Sequence, residues 1–225
     1  MVVRVLAAVR TDFAIRRGVR DNPAMSTSTE TSTPERGADG KAARRIRMVE
    51  AAMNLAADGG YDAVQMRAVA ERANVSLGTI YRYFAGKDDM LLAGLAGWVH
   101  ILRRQIEDQE FTNGTAADRL AEALGQAAGA AEGAPVLMEA LVNALSTTDP
   151  SAVQYKLRIE AEVGGLIVAA IGDEPGIDAA GVSRVVGHVW LSAISRWVGG
   201  LSEAGSVESE LRHAVMMLIP ARAES

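Results

Sequence analysis

Cysteine is absent from the 225 residues, which excludes disulfides and thiolate metal sites. Aromatic side chains make up only 4%, and no apolar run approaches the roughly 20 residues that a membrane-spanning helix needs. The apolar stretch at residues 2–9 is short and is broken by Arg4, so we expect no signal peptide. These absences predict a soluble protein with no membrane partner, and the missing cysteines fit the reducing cytoplasm.

The residues that are abundant favour helices. Apolar side chains account for 49% of the chain, which is enough to form the core of one or two small domains. Alanine, leucine, glutamate and arginine are frequent, whereas the aromatic residues typical of strands make up only 4%. We therefore predict an all-α fold of about nine helices.

Residues 65–84 have the pattern of two short helices around a tight turn. We predict helices over 66–73 and 77–84, with Ile80 and Phe84 on the buried side of the second. Asn74 tolerates the left-handed conformation that ends a helix, and Ser76 can cap the next helix by accepting a backbone hydrogen bond. Such a helix-turn-helix places its second helix in the major groove of DNA.

The charge of the chain is divided in a way that fits DNA binding through one end. The net charge is −5, yet residues 41–87 carry eight basic residues against four acidic ones. Residues 88–225 carry nine basic residues against nineteen acidic ones. Because phosphate neutralisation supplies much of the affinity for DNA, we expect the segment 41–87 to hold the contact surface.

The run Leu-Gly-Thr-Ile-Tyr-Arg-Tyr-Phe-Ala-Gly-Lys at 77–87 resembles the signature of TetR-family transcriptional regulators. The resemblance covers about residues 43–100. Segments 59–70, 135–140 and 189–192 also resemble the sterol-catabolism repressors of KstR type. The resemblance implies an N-terminal three-helix DNA-binding domain and a C-terminal helical domain that binds a ligand and dimerises.

Nine residues are the candidate DNA contacts. We expect base-edge or groove contacts from Ser76, Gly78, Thr79 and Arg82, because small residues permit close approach and polar ones reach base edges. We expect phosphate and orienting contacts from Gln65, Arg67, Tyr81, Tyr83 and Lys87. The phosphate contact of Lys87 is also what the family resemblance implies.

The predicted organisation has three parts. Residues 1–40 include a Ser/Thr-rich run without apolar periodicity, for which we expect disorder. Residues 41–87 form the DNA-binding domain, and residues 88–225 form a domain of long helices. A broad apolar stripe at residues 182–201 and a second one at 207–218 predict paired helices that dock on their two-fold copies in a homodimer.

Catalysis is not predicted. His100, His188 and His213 lie far apart, and no phosphate-binding glycine loop, G-x-S-x-G or H-E-x-x-H motif is present. Glu160 and Glu162 fall on different sides of a helix and make a poor acid/base pair. We therefore expect no enzyme, no cofactor and no catalytic or metal site.

We expect the second task of the C-terminal domain to be binding a small apolar effector. A set of mostly apolar residues is placed to line a cavity there: Trp98, Leu102, Phe111, Met138, Leu141 and Val142. A filled core is the alternative for these positions. The KstR-type resemblance implies a bulky lipid, steroid or acyl-CoA thioester as the effector.

The preferred function is a ligand-responsive homodimeric repressor of a palindromic DNA operator. Two other classes stay open. A DNA-binding adaptor, whose C-terminal domain binds a protein, would be indifferent to small molecules. A carrier or enzyme that kept only the helix-turn-helix shape would have no sequence-selective affinity for DNA.

Overall fold

The computed structural model describes residues 34–109 and 114–219. Most of the extension at 1–40, for which disorder is expected, therefore lies outside the described residues. Residues 34–40 belong to the first helix, which starts earlier than the domain boundary predicted at residue 41. Phe111, one of the candidate pocket residues, also lies outside the described residues.

Three helices form the N-terminal part of the molecule, which we call the head: α1 (Pro34–Ala63), α2 (Met66–Arg72) and α3 (Leu77–Tyr81). The backbone of α1 is kinked at Gly59 and at Gly60, where φ is 75°, a value that favours glycine. One face of α1 is buried through Val49, Met53 and Ala56, whose 4-3 spacing places them on the same side of the helix.

Six further helices form what we call the body: α4 (Lys87–Glu107), α5 (Ala116–Glu132), α6 (Pro135–Leu145), α7 (Val153–Ile171), α8 (Ala179–Val198) and α9 (Ser206–Leu218). A short 3₁₀ turn, Pro150–Ala152, precedes α7. Across the ranges 34–109 and 114–219 the chain contains nine α-helices and no strand, which confirms the predicted all-α fold.

Local sequence signals account for several of the helix starts in the body. Thr115 caps α5 in a reciprocal arrangement with Asp118, so that each side chain accepts the other's backbone N–H. Pro135 occupies the first position of α6, where a missing N–H costs little. The segment before α7 is a 3₁₀ turn, and Asp149 caps it by accepting the N–H of Ser151.

The core of the body is built around α4 and α7, which pack against each other along their lengths. Gly165 permits this close approach, since a Cβ atom at that position would lie 2.6 Å from Cδ of Arg103. On the other side of the body, α9 packs against α5 and α8 through Val207, Leu211 and Val215, all fully buried. The α9 stripe, which the sequence assigned to the dimer contact, is therefore buried within the chain itself.

One polar cluster joins α4 to α7 inside this otherwise apolar interface. Oε2 of Glu162 lies 2.9 Å from Nδ1 of His100 and accepts a hydrogen bond from Nε of Arg103 at 2.8 Å. Burial alone would raise the pKa of Glu162, but the hydrogen bonds with His100 and Arg103 and their charges outweigh it and hold that pKa below its usual range. The cluster therefore stabilises the fold through ionised Glu162.

We expect Glu162→Gln to destabilise the protein at neutral pH by about 1–3 kcal/mol, since a half-buried charged hydrogen-bond acceptor is lost. A lowered carboxyl pKa contributes stability above the unfolded value of about 4.3, and this contribution is lost as the pH falls through the folded value. The difference between wild type and variant should thus shrink below about pH 4 in urea unfolding. Glu160→Gln, on an exposed part of α7, is the control and should change little. A difference in unfolding free energy between wild type and Glu162→Gln that stays constant with pH would contradict the stabilising role of ionised Glu162.

Candidate nucleic-acid interface

The turn between α2 and α3 has the conformation that its residues predict. Asn74 has φ of 52° and is the only non-glycine residue with positive φ among those that the structure describes. Oγ of Ser76 accepts the backbone N–H of Thr79 at 3.2 Å and lies 2.8 Å from Oγ1 of Thr79. The predicted cap of α3 is therefore present.

Helix α3, the second helix of the predicted helix-turn-helix, is shorter than the predicted 77–84, because regular α-helix ends at Tyr81. The backbone N–H groups of Tyr83 and Phe84 both donate to the carbonyl of Ile80, which closes a tight final turn. This turn brings Phe84 into the core and leads the chain into α4. The predicted length was wrong because the packing of Phe84 decides where the helix stops.

The two sides of α3 differ sharply in burial. Ile80 is fully buried and Phe84 nearly so, which fixes the helix on the head. On the outer side Tyr81 is 56% exposed, Ser76, Gly78 and Arg82 are exposed, and Thr79 and Tyr83 are half-buried. A Cβ atom added at Gly78 would meet nothing within 4 Å. The structure thus brings the α3 candidates together on one open, mostly polar face.

The candidates on α2 lie beside this face. Gln65 precedes the first turn of α2, Arg67 lies within it, and both are exposed. Arg67, Asn74 and Ser76 line the same shallow depression along the turn. Arg72, by contrast, is paired with Asp58 at 3.0 Å, so its charge is partly neutralised within the head.

Lys87 has intramolecular contacts that its position in the sequence does not predict. Its ammonium donates to the carbonyl of Tyr61 at 3.0 Å and lies 3.6 Å from the centroid of the Tyr61 ring. The Tyr61 hydroxyl donates to Oδ1 of Asp88 at 2.6 Å, and burial together with Asp88 raises the pKa of Tyr61 to about 12. Lys87 therefore joins the end of α1 to the start of α4, while its side chain remains 28% exposed.

The described residues that were predicted to line an effector cavity are packed in the core. Trp98, Met138 and Leu141 are buried, and Leu102 and Val142 are half-buried against the same core. A groove of about 680 Å³ lies elsewhere, between the start of α5, the loop before α8 and the end of α9. Packed side chains therefore fill the position of the predicted cavity, as the filled-core alternative describes.

The three histidines are separate in space as well as in sequence. His100 is buried beside Glu162, whereas His188 and His213 are exposed on α8 and α9. Among residues 34–109 and 114–219 no three histidine or acidic side chains are grouped as metal ligands would be. None of the helices in the described part is long and apolar enough to cross a membrane.

A short helix with an exposed polar face, held on a three-helix head and followed by a larger helical body, defines a helix-turn-helix regulator. Residues 48–93 match the family model for bacterial regulatory proteins of the tetR family. Residues 114–218 match the model for the tetracyclin repressor-like C-terminal domain. The chain therefore belongs to the TetR family, whose members are transcriptional regulators and not enzymes.

Known proteins extend this assignment along most of the chain. The HTH-type transcriptional repressor KstR of Mycolicibacterium smegmatis is 34% identical over 196 residues, which cover 87% of this chain and 96% of that protein. A TetR transcriptional regulator from Rhodococcus sp. RHA1 superposes with a TM-score of 0.72 at 25% identity, covering 82% of this chain and all of the other. Thermus thermophilus FadR, solved with lauroyl-CoA, shares the fold with a TM-score of 0.64 at 20% identity, over 80% and 99% of the two chains. The predicted resemblance to TetR regulators and to KstR-type repressors is confirmed.

Proposed function

We propose that this protein is a homodimeric repressor that binds a palindromic DNA operator and is released by a bulky apolar effector. The observation that carries the proposal is the outer face of α3, which presents Ser76, Gly78 and Arg82 to solvent above a buried Ile80. An exposed face of small and polar residues on a short, anchored helix fits the major groove. Because chromosomal DNA is the target, the proposed location is the cytoplasm.

The roles of the nine contact residues follow from their positions. Ser76, Gly78, Thr79 and Arg82 lie on or beside the outer face of α3 and would meet base edges. Gln65, Arg67, Tyr81, Tyr83 and Lys87 surround that face and would contact phosphates, which fixes the register of the head on the duplex. The Arg82 guanidinium lies 5.7 Å from the Tyr83 ring centroid, so a base-edge candidate and a phosphate candidate adjoin there.

The proposed dimer uses α8 and α9. Val185 and Leu191 on α8 and Met216 and Met217 on α9 are exposed although they are apolar, whereas other residues of the α8 stripe, such as Val186 and Ile194, are buried. Exposed apolar side chains on two adjacent helices fit a two-fold four-helix interface. Such an interface would hold two recognition helices about 34 Å apart, the spacing of successive major-groove turns.

The proposed effector is an acyl-CoA or steroid thioester. KstR repressors are among the relatives of this chain, and the FadR structure of the same fold was solved with lauroyl-CoA. In this chain Trp98, Met138 and Leu141 fill the centre of the body, so an effector that enters there must move α4, α6 or α7. The ligand would then favour a second arrangement in which the heads no longer match both half-sites, with a coupling of about 1–3 kcal/mol.

Selection of bound duplexes from a random DNA library at near-physiological salt tests this proposal. We expect enrichment of an inverted repeat with half-site centres about one helical turn apart. Stearoyl-CoA, lauroyl-CoA and steroid-CoA thioesters would then be titrated against the complex to detect release. A folded protein that enriches no sequence would overturn the repressor assignment, and operator binding indifferent to all these ligands would favour a protein-binding adaptor.

Lys87→Ala should weaken binding to all DNA sequences to a similar degree. One phosphate contact contributes about one unit to the slope of log affinity against log salt, so the slope should flatten by about one. Affinity would be measured on operator and random duplexes at several salt concentrations. Arg184→Ala removes an exposed charge beside the groove of the body and should leave the slope unchanged. Loss of affinity at one base pair only would refute the phosphate assignment for Lys87.

A further inference from the structure

A buried carboxylate connects the exit of the recognition helix to the centre of the body. Asp89 lies in the first turn of α4 and is only 3% exposed. Its Oδ2 accepts the backbone N–H of Ala85 at 3.0 Å, and its Oδ1 accepts the hydroxyl of Ser151 at 2.9 Å. Ala85 follows α3, whereas Ser151 belongs to the 3₁₀ turn between α6 and α7. Asp89 therefore joins its neighbour Ala85 to Ser151, which lies 62 residues after Asp89 in the sequence.

Ser151 is held firmly by its own turn. Its backbone N–H donates to Oδ1 of Asp149 at 2.9 Å, and its carbonyl accepts a hydrogen bond from the Gln154 amide at 3.2 Å. Lys156, in the first turns of α7, donates to the carbonyl of Thr147 at 2.6 Å and closes the same loop. The Ser151 hydroxyl must therefore move together with the start of α7.

A second contact joins the same segments. The guanidinium of Arg45 on α1 lies 5.1 Å from the ring centroid of Phe84 and 6.0 Å from that of Tyr155. Phe84 closes the recognition helix, and Tyr155 is a buried residue in the first turn of α7. We call these contacts of Arg45, Phe84, Ala85, Asp89, Ser151 and Tyr155 the head–body junction.

The junction resists a change in its geometry because its central group is a buried charge. A carboxylate without water needs hydrogen-bond donors, and withdrawal of one donor leaves an oxygen with its desolvation penalty uncompensated. A shift of α7 relative to α4 would pull the Ser151 hydroxyl away from Asp89. Moving Asp89 and the bonded Ala85 together with Ser151 costs less free energy than breaking these hydrogen bonds. Because α3 ends only four residues before Ala85, such a movement reaches α3.

We propose that Ser151 is a positioning residue for DNA recognition, which fixes the orientation of the recognition helix through Asp89 and Ala85. This inference rests on the proposed function, because it concerns how the head is presented to an operator. Specific binding by a dimer requires both recognition helices in register, whereas non-specific binding requires only positive charge. A loosened junction therefore lowers the ratio of specific to non-specific affinity.

Full-length Ser151→Ala, Ser151→Thr and Ser146→Ala proteins test this inference. Ser146 is the matched control, since it lies in the same segment between α6 and α7 and its hydroxyl donates to the carbonyl of Val142, one turn back in α6. Each variant would be titrated with the selected operator and with a random duplex. Hydrogen exchange of residues 77–86, measured without DNA, reports on the recognition helix separately, and the melting temperature reports on global stability.

We expect Ser151→Ala to lower the specific-to-non-specific ratio about tenfold, as loss of one hydrogen bond to a buried charge predicts. Exchange in 77–86 should be faster by a similar factor. Ser151→Thr keeps a hydroxyl, so its affinity ratio and its exchange rate should stay at the wild-type level. Ser146→Ala should match wild type in both measurements. A lower melting temperature with an unchanged ratio would show a merely structural role and overturn the proposal, as would an equal loss in Ser146→Ala or in Ser151→Thr.

Failure of the proposed function has a different signature. If wild-type protein enriches no operator, the repressor assignment fails. Hydrogen exchange alone then tests whether the head–body junction fixes the recognition helix. Faster exchange in 77–86 that is confined to Ser151→Ala would then support the link between α7 and the recognition helix. Exchange identical to wild type would overturn it.

Discussion

Gly78→Leu should abolish specific operator binding without unfolding the protein. Gly78 is exposed within α3, and an added Cβ meets no atom within 4 Å, so the fold has room for the larger side chain. Replacing glycine inside a helix should even stabilise it by a few tenths of a kcal/mol to about 1 kcal/mol. In the complex, however, the same side chain would occupy the space that the floor of the major groove needs. We expect affinity to fall about 10³-fold, to the level of non-specific binding.

Gly129→Leu is a matched control for this experiment. Gly129 is also exposed inside a helix, α5, and a Cβ atom there likewise meets nothing within 4 Å. Both variants should melt at or above the wild-type temperature, and only Gly78→Leu should lose the operator in a titration by fluorescence anisotropy. Unchanged operator affinity of Gly78→Leu would refute the docking of α3 in the groove.

Leu191→Asp should separate the proposed dimer and thereby remove most operator affinity. Leu191 is 45% exposed on α8, so the substitution leaves the core of the monomer intact. Two-fold symmetry places the change in the interface twice, and burying two unpaired carboxylates would weaken association about 10³-fold or more. A monomer binds one half-site and lacks the added affinity that comes from binding the second half-site at the same time. We therefore expect affinity for the full palindrome to fall about 10²–10⁴-fold.

Sedimentation velocity and titration of palindromic and half-site duplexes measure the two effects together. Leu157→Asp is the control, since Leu157 is similarly apolar and 59% exposed but lies on α7. We expect Leu157→Asp to remain dimeric and Leu191→Asp to bind both duplexes with the same low affinity. Dissociation by Leu157→Asp alone would move the interface to α7 and contradict the assignment to α8 and α9.

The sequence by itself determined the features that depend on neighbouring residues. Asn74 and Ser76 specify the turn between α2 and α3, and Thr115 with Asp118 specifies the start of α5. Apolar spacing identified the residues that share one face of α9, but not that this face is buried within the chain itself. These signals act over a few residues, because helix caps and helical periodicity involve groups within one or two turns. The fold class and the exposed face of the recognition helix could therefore be predicted.

Only the tertiary structure decided the contacts between distant segments. No spacing pattern relates Asp89 to Ser151 or Arg45 to Tyr155, and Lys87 was assigned to phosphate without its contact to Tyr61. Whether Trp98 and Met138 line a cavity or fill a core also depends on how closely α4 and α6 approach, because the same apolar residues serve either arrangement. Pairing of buried polar groups and packing of apolar ones are properties of the assembled helices, which no single segment of the chain specifies.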